Sequence, residues 1–430
     1  MKIIVLIIAL ITISLPVNAE VIRVTLDEAV QLTMRNNLDL QAKRKELGIA
    51  NSDIKIANKL QNPQVQSNIL IGPVRTGNSS QAGLMLPVET FKRGVRKKAA
   101  IARKKAIENE IRQFEHELKI KVMKAYFDVL YYKSVAAILD ERKTLYEHMC
   151  EITKKREQSL SNYKIDILQS DIRYKKLLIE LNRAKADRIS AQFALNKVIN
   201  IAATENMYDT KEASLFSDDL TILDIQLPSY DIIEAIAMKY SHSIRIADNK
   251  IEELNQDYIL AKRQRIPNIF AGGGFAWQAK YKGEGDWWPG AFVGGGFDLP
   301  ILYTFRPEID RAKFTLEKAK MDKTSFENKL KITLKQNYNN FKYSKQNMNY
   351  YKEILQGSNE ILEMVTERYQ KGETALINLI MTENNHQQVL NEYLVAMDLY
   401  YEVYLDLMHN MGHDVLLEEE IFDENGQKLN

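Results

Sequence analysis

The sequence predicts a mainly α-helical chain with four β-strands, built from two structural repeats, and three observations lead there. Neither Gly nor Pro occurs from Val95 to Asn200, and only Gly357 and Gly372 interrupt Glu308 to Met411, so both stretches are nearly free of the residues that most disfavour a helix interior. Landmarks in the first half return in the second at an offset of about 206 residues, the mark of an internal repeat. Half of the 18 Gly and all 3 Trp fall between Gly272 and Gly296, where the chain alternates with a strand's period of two.

The elements follow in order. Met1-Lys2, an apolar run from Ile3 to Leu15 and the small residues up to Ala19 read as a signal peptide over residues 1–19. No Cys follows the expected cleavage point, so a lipoprotein is not indicated. The first repeat, residues 20–200, holds helices, a β-hairpin over 63–88 and a long helical hairpin over 93–200. In that hairpin, Ile107, Ile111, Phe114, Leu118, Val122, Ala125 and Val129 fall three or four apart as a coiled-coil seam does. Continued to about Gln158, the first of its helices would be about 95 Å long at 1.5 Å per residue. The pattern softens at Leu160-Ser161-Asn162, which marks the hairpin tip near Ser161. An equatorial linker follows over 201–227. The second repeat, 228–412, has helices, a β-hairpin over 267–300 and a helical hairpin over 307–411 tipped near Gly372. An acidic tail over 413–430 reads as a solvated end.

Paired landmarks carry the repeat: Glu28-Ala29-Val30 with Glu234-Ala235-Ile236, Pro63 with Pro267, and Leu86-Pro87-Val88 with Leu299-Pro300-Ile301. Between the prolines, Val65, Ile69, Ala82, Leu84, Leu86 and Val88 alternate with polar residues, as do Ile269, Ala271, Phe275 and Trp277 with Gly272, Gly274 and Gln278. One face of such strands is apolar and the other polar or bare, and Trp277, Trp287 and Trp288 are placed to serve as membrane-interface aromatics. Four strands cannot close a membrane barrel, whose smallest examples have about eight, and lipid tolerates no open edge. A membrane location therefore demands several copies.

Taken together, these residues make the chain similar to the TolC family of outer-membrane efflux proteins from about Leu26 to Gly412, with Leu26-Asp27-Glu28-Ala29-Val30, Leu86-Pro87-Val88 and Tyr369-Gln370-Lys371-Gly372-Glu373-Thr374 as local matches. The resemblance implies a homotrimer whose twelve-stranded β-barrel joins a long α-helical barrel crossing the periplasm. It implies the exit duct of a tripartite efflux pump or a type I secretion system, located in the outer membrane, with a periplasmic adaptor protein and an inner-membrane pump as partners. Carried over, the adaptor contacts are Leu160, Ser161 and Asn162 at one tip and Lys371, Gly372, Glu373 and Thr374 at the other. The periplasmic gate falls at Asp166, Asn378 and Met381. Some family members ring this gate with aspartates, whereas this chain has Asn378 and Met381 at the second-repeat positions, so only Asp166 is acidic.

Composition excludes other classes. Lys plus Arg total 59 against 57 Asp plus Glu, and this balance, read as free of any basic block, predicts no nucleic-acid partner. No phosphate loop, nucleophile triad or paired-carboxylate signature stands out, so an enzyme is not expected and no cofactor is implied. His409 and His413 are four apart but separated by Gly412, so no metal site is expected there. The lone Cys150 reads as a neutral thiol within a helix. The competing reading is a periplasmic coiled-coil adaptor or scaffold without a pore, which the two equivalent hairpins and the Gly- and Trp-rich strands argue against.

Overall fold

The computed structural model describes residues 21–69, 79–157, 164–200, 207–216, 225, 227–279, 287–412, 421–422 and 428–429. The expected signal peptide and the tip residues Leu160, Ser161 and Asn162 lie outside these residues, as do most of the linker and the tail.

The helices come in matched sets. In the first half, α1 (Leu26–Asn36) and α2 (Leu38–Ala57) precede α3 (Arg93–Glu157) and α4 (Lys164–Ile199). In the second, α5 (Tyr230–Tyr240) and α6 (His242–Arg263) precede α7 (Arg306–Gln370) and α8 (Leu376–Met411). Both α3 and α7 have 65 residues, and both α4 and α8 have 36. Strand β1 (Val21–Val24) pairs in parallel with β4 (Met207–Thr210), while β2 (Gln64–Ile69), β3 (Ser79–Val88), β5 (Ile269–Ala279) and β6 (Trp287–Phe297) form a second sheet. Two short strands in the tail, β7 (Ile421–Phe422) and β8 (Lys428–Leu429), pair with each other.

The chain divides into two compact units. The first comprises Met1–Leu40, Phe114–Lys239 and Ile332–Asn430. Its core is dominated by α8, whose Tyr393, Leu394, Met397, Tyr400, Tyr401, Tyr404 and Leu405 are buried. Phe127 of α3 stacks on Tyr401 at 4.3 Å, and Phe341 of α7 meets Tyr400 at 5.0 Å, so aromatic packing clamps α8 between the two long helices. Helix α1 starts with a capping box, in which the Thr25 hydroxyl accepts from the Glu28 amide and the Glu28 carboxylate accepts from the Thr25 amide.

The second unit comprises Gln41–Gln113 and Tyr240–Lys331. It carries the four-stranded sheet in the order β2-β3-β5-β6, every neighbouring pair antiparallel. Short side chains at Val95, Ala99, Ala102 and Ala106 bury one face of the start of α3. No helix among the described residues is long and apolar enough to cross a membrane.

Candidate functional site: sheet, hairpin tip and buried polar network

In the sheet, register sets the two faces. Val88 lies opposite Ile269 and Ile269 opposite Phe297; Leu84 lies opposite both Val65 and Gly273, and Gly273 opposite Val293. Partners in register project to the same side, so Val65, Leu84 and Val293 share one face with Ala82, Phe275, Val88, Ile269 and Phe297. That face is open: Val65, Ile69, Phe275 and Val293 are 80%, 70%, 67% and 94% exposed. A monomeric soluble protein seldom leaves so continuous an apolar surface uncovered. The opposite face carries Gln64, Gln66, Asn68, Gln81 and most of the glycines, together with Met85, Phe270 and Phe292. Trp277 is exposed on the apolar face, while Trp287 and Trp288 take register positions opposite Ala279 and Gln278.

The glycines have a structural reason that composition alone did not reveal. A Cβ on Gly83 would stand 2.7 Å from the Gly273 carbonyl oxygen and 2.7 Å from Cζ of Phe292. A Cβ on Gly274 would run into the Ala82 oxygen and the Gly83 Cα. Strands β3 and β5 approach so closely that only glycine fits, and the Phe292 ring extends over Gly83 to cover the bare backbone.

At the second-repeat hairpin tip in the first unit, α7 ends in a Schellman arrangement. Gly372 has φ +79°, the Glu373 amide donates to Arg368 O at 2.9 Å and the Gly372 amide to Tyr369 O at 3.0 Å. Glycine takes this left-handed turn without a Cβ penalty. Lys371 Nζ donates to Glu367 at 2.5 Å, and Asn378 Nδ2 to Thr374 Oγ1 at 3.1 Å. Met381 is exposed, whereas Leu376, Leu379 and Ile380 pack on Tyr369, Leu362 and Val365. Asp166 stands in the first turn of α4. The structure thus brings Lys371, Gly372, Glu373 and Thr374 into one turn, with Asn378 in the first turn of the helix that follows and Met381 one turn further on.

Sequence reasoning missed a polar network further along the same helices. Glu383 is fully buried, and both its oxygens are held: by Arg142 through Nε at 2.5 Å and Nη2 at 3.1 Å, and by the Tyr146 hydroxyl at 2.8 Å. Burial, and then the Glu383 charge, push the Tyr146 hydroxyl above its ordinary pKa. Nearby, Ser358 Oγ is 3.2 Å from His386 Nδ1, and burial holds His386 below the usual histidine range. The signal was available, since Leu376, Leu379, Ile380, Glu383 and His386 follow one another at core spacing on α8. Higher on α8, Asp398 is raised to about 6 by burial, then by Asp128 of α3 and Glu402. The His409 ring stacks on His116 at 6.2 Å, and no cluster of three metal-ligating side chains occurs among the described residues.

No protein-family model and no curated protein matches the chain in sequence. Solved structures do. A membrane protein from Pseudomonas aeruginosa superposes with a TM-score of 0.75 at 14% identity, over 91% of this chain and 93% of the other. The open state of the Neisseria gonorrhoeae MtrE outer membrane channel gives 0.73 at 16%, over 90% and 88%. The VceC outer membrane protein of Vibrio cholerae gives 0.72 at 13%, over 90% and 96%. The fold is therefore that of outer-membrane channel proteins. It is the TolC-like fold that the repeat, the long helices and the paired strands predicted.

Proposed function

We propose that the chain is a subunit of an outer-membrane channel, the exit duct of a tripartite efflux pump or type I secretion system, and not an enzyme. The observation that carries this reading is the four-stranded sheet: an uncharged surface with one apolar face whose edge strands β2 and β6 have no further strand beside them among the described residues. In lipid both edges must be paired. Because four alternating strands place β2 and β6 antiparallel to each other, β6 of one copy can pair with β2 of the next without breaking the alternation. Three copies give the twelve strands that the resemblance to the TolC family implies.

The helices support the same assembly. Ile380, Tyr401 and Leu405 of α8 are buried against other helices of the chain, yet their repeat counterparts on α4, Leu168, Ile189 and Phe193, are exposed. On α7, Tyr343, Tyr350, Ile354, Ile361 and Met364 form an exposed apolar row at seven-, four-, seven- and three-residue steps. Packing α4 of one copy against α7 of the next would bury both rows, as α8 already buries the counterparts of the α4 row.

On this reading the helical part stands in the periplasm, and the tips, with Lys371, Gly372, Glu373 and Thr374 at one and Leu160, Ser161 and Asn162 at the other, receive an adaptor that links the duct to an inner-membrane pump. Asp166, Asn378 and Met381 line its periplasmic constriction, and Trp277, Trp287 and Trp288 sit at the membrane interface. The test is conductance in a planar bilayer: purified mature chain should open water-filled pores whose current changes when Asn378 or Asp166 is replaced by a bulky residue. Absence of any conductance from a preparation that has inserted into the bilayer would contradict the proposal.

A further inference from the structure

The four strands of the sheet contain no Asp, Glu, Lys or Arg. At one end of the sheet Glu89 and Asp298 directly follow β3 and β6, and beyond them the charge is mostly positive. Lys59 precedes β2, Lys92 and Arg93 follow β3, Arg263 and Arg265 precede β5, and Arg306 follows β6. Antiparallel pairing puts these four strand termini side by side. Residues 92–105 alone hold eight Lys or Arg and no Asp or Glu, so the expectation of no basic block fails here; the even total for the whole chain conceals it.

Some of these cations are used internally. Lys92 Nζ donates to Asn268 Oδ1 at 2.9 Å, Arg96 holds the Glu89 carboxylate, Arg263 donates to the Phe91 carbonyl, and Arg265 to the Thr304 carbonyl at 2.9 Å. These bonds fasten strand ends to helices. Arg93, Lys97 and Lys98 are different: all three are exposed, and none forms an ion pair among the described residues. They also crowd the first turns of α3, which has no acidic residue in its own first turn, so within that turn nothing offsets the positive end of the helix dipole.

Apolar side chains project beside them. Phe91 is 72% exposed with φ +59°, and the equivalent turn before α7 holds Phe305 at φ +55°, an uncommon backbone for a bulky residue. Ile301 and Leu302 are 73% and 101% exposed in the loop after β6. Cations flanked by bare aliphatic and aromatic groups, at the rim of an apolar sheet, match the make-up of a bilayer interface.

We propose that these strand-to-helix turns bind the headgroups of anionic phospholipids in the leaflet bordering the helical part, through Arg93, Lys97 and Lys98, while Phe91, Ile301 and Leu302 enter the interface. Charge complementarity and continuity with the apolar face select lipid as the occupant. The inference rests on the reading of the sheet as membrane-spanning. The full mature chain is reconstituted into vesicles of phosphatidylethanolamine with phosphatidylglycerol, extracted in mild detergent, and its retained lipids are counted by native mass spectrometry. It should keep phosphatidylglycerol over phosphatidylethanolamine. A cation near an anionic surface is worth about fivefold in affinity, so Arg93→Gln with Lys97→Gln and Lys98→Gln should lower that preference on the order of tenfold or more, with helical content and oligomer mass unchanged. Lys97→Arg with Lys98→Arg should retain it. Equal retention of both lipids, or an undiminished preference in the glutamine variant, overturns the proposal. So does a glutamine variant that loses its oligomer but keeps its lipid preference, since the surface then belongs to a second copy. If the chain inserts into neither lipid mixture, the membrane reading of the sheet falls; if it inserts and holds both lipids alike, only the headgroup site falls.

Discussion

Glu383 shows what a single buried charge demands. It is fully buried and depends on Arg142 and Tyr146 for compensation. Breaking a buried pair by removing one partner costs about 3–5 kcal/mol, whereas replacing both by apolar groups can be nearly neutral. Arg142→Met should therefore lower the denaturation midpoint sharply, and Arg142→Met combined with Glu383→Leu should recover most of the loss; equal losses in the two variants would contradict the assignment. Asp398 makes a prediction about pH. Its folded pKa, about 6, lies above the ordinary carboxylate value, so ionising it costs more in the folded state than in the unfolded one. The protonated form contributes stability that is fully present below about pH 4 and lost as pH rises through about 6. Asp398→Asn should accordingly raise the thermal midpoint at about pH 7.5, with the gain gone near pH 4; a gain that grows on acidification would have the wrong sign. At the tip, Gly372→Ala should cost on the order of 1 kcal/mol in thermal unfolding, because alanine disfavours φ +79°.

At the level of elements, the helices were legible because their signal is long and repeated. Two stretches nearly without helix breakers specify α3, α4, α7 and α8, and the landmark pairs specify that the design occurs twice. The apolar face of the sheet was legible for a related reason, since alternation in Val65 to Ile69 and Ala82 to Val88 needs only neighbours in sequence. What could not be read was anything that depends on which strand lies beside which. The order β2-β3-β5-β6 brings Gly83 opposite Gly274 across 191 residues of chain, by the register of β3 and β5, and only then does the glycine run acquire a reason. The Arg142–Glu383 pair was hidden in the same way, as a contact between α3 and α8 separated by 241 positions. Close strand approach predicts that Gly274→Val should abolish oligomer formation while far-ultraviolet circular dichroism keeps its helical signal. An oligomer of unchanged mass would mean that the β3–β5 contact tolerates a side chain and that the spacing is not essential.

For the whole molecule, the proposed channel rests on two independent surfaces that further copies of the chain would cover. Among the described residues the sheet ends in β2 on one side and β6 on the other, and α4 and α7 expose apolar rows, the α4 row matching positions that α8 buries within the chain. On the proposed reading, a fold assembled from two unequal halves in one chain would become a ring as each half met its missing neighbour in the next copy. The most direct measurement is the molar mass of the mature chain extracted from outer membranes in mild detergent, with the detergent contribution subtracted. The account predicts a mass of three chains, falling to one when Ile189→Glu and Phe193→Glu are introduced together on α4. A wild-type mass of one chain would contradict it, because a four-stranded sheet with open edges cannot reside in lipid alone.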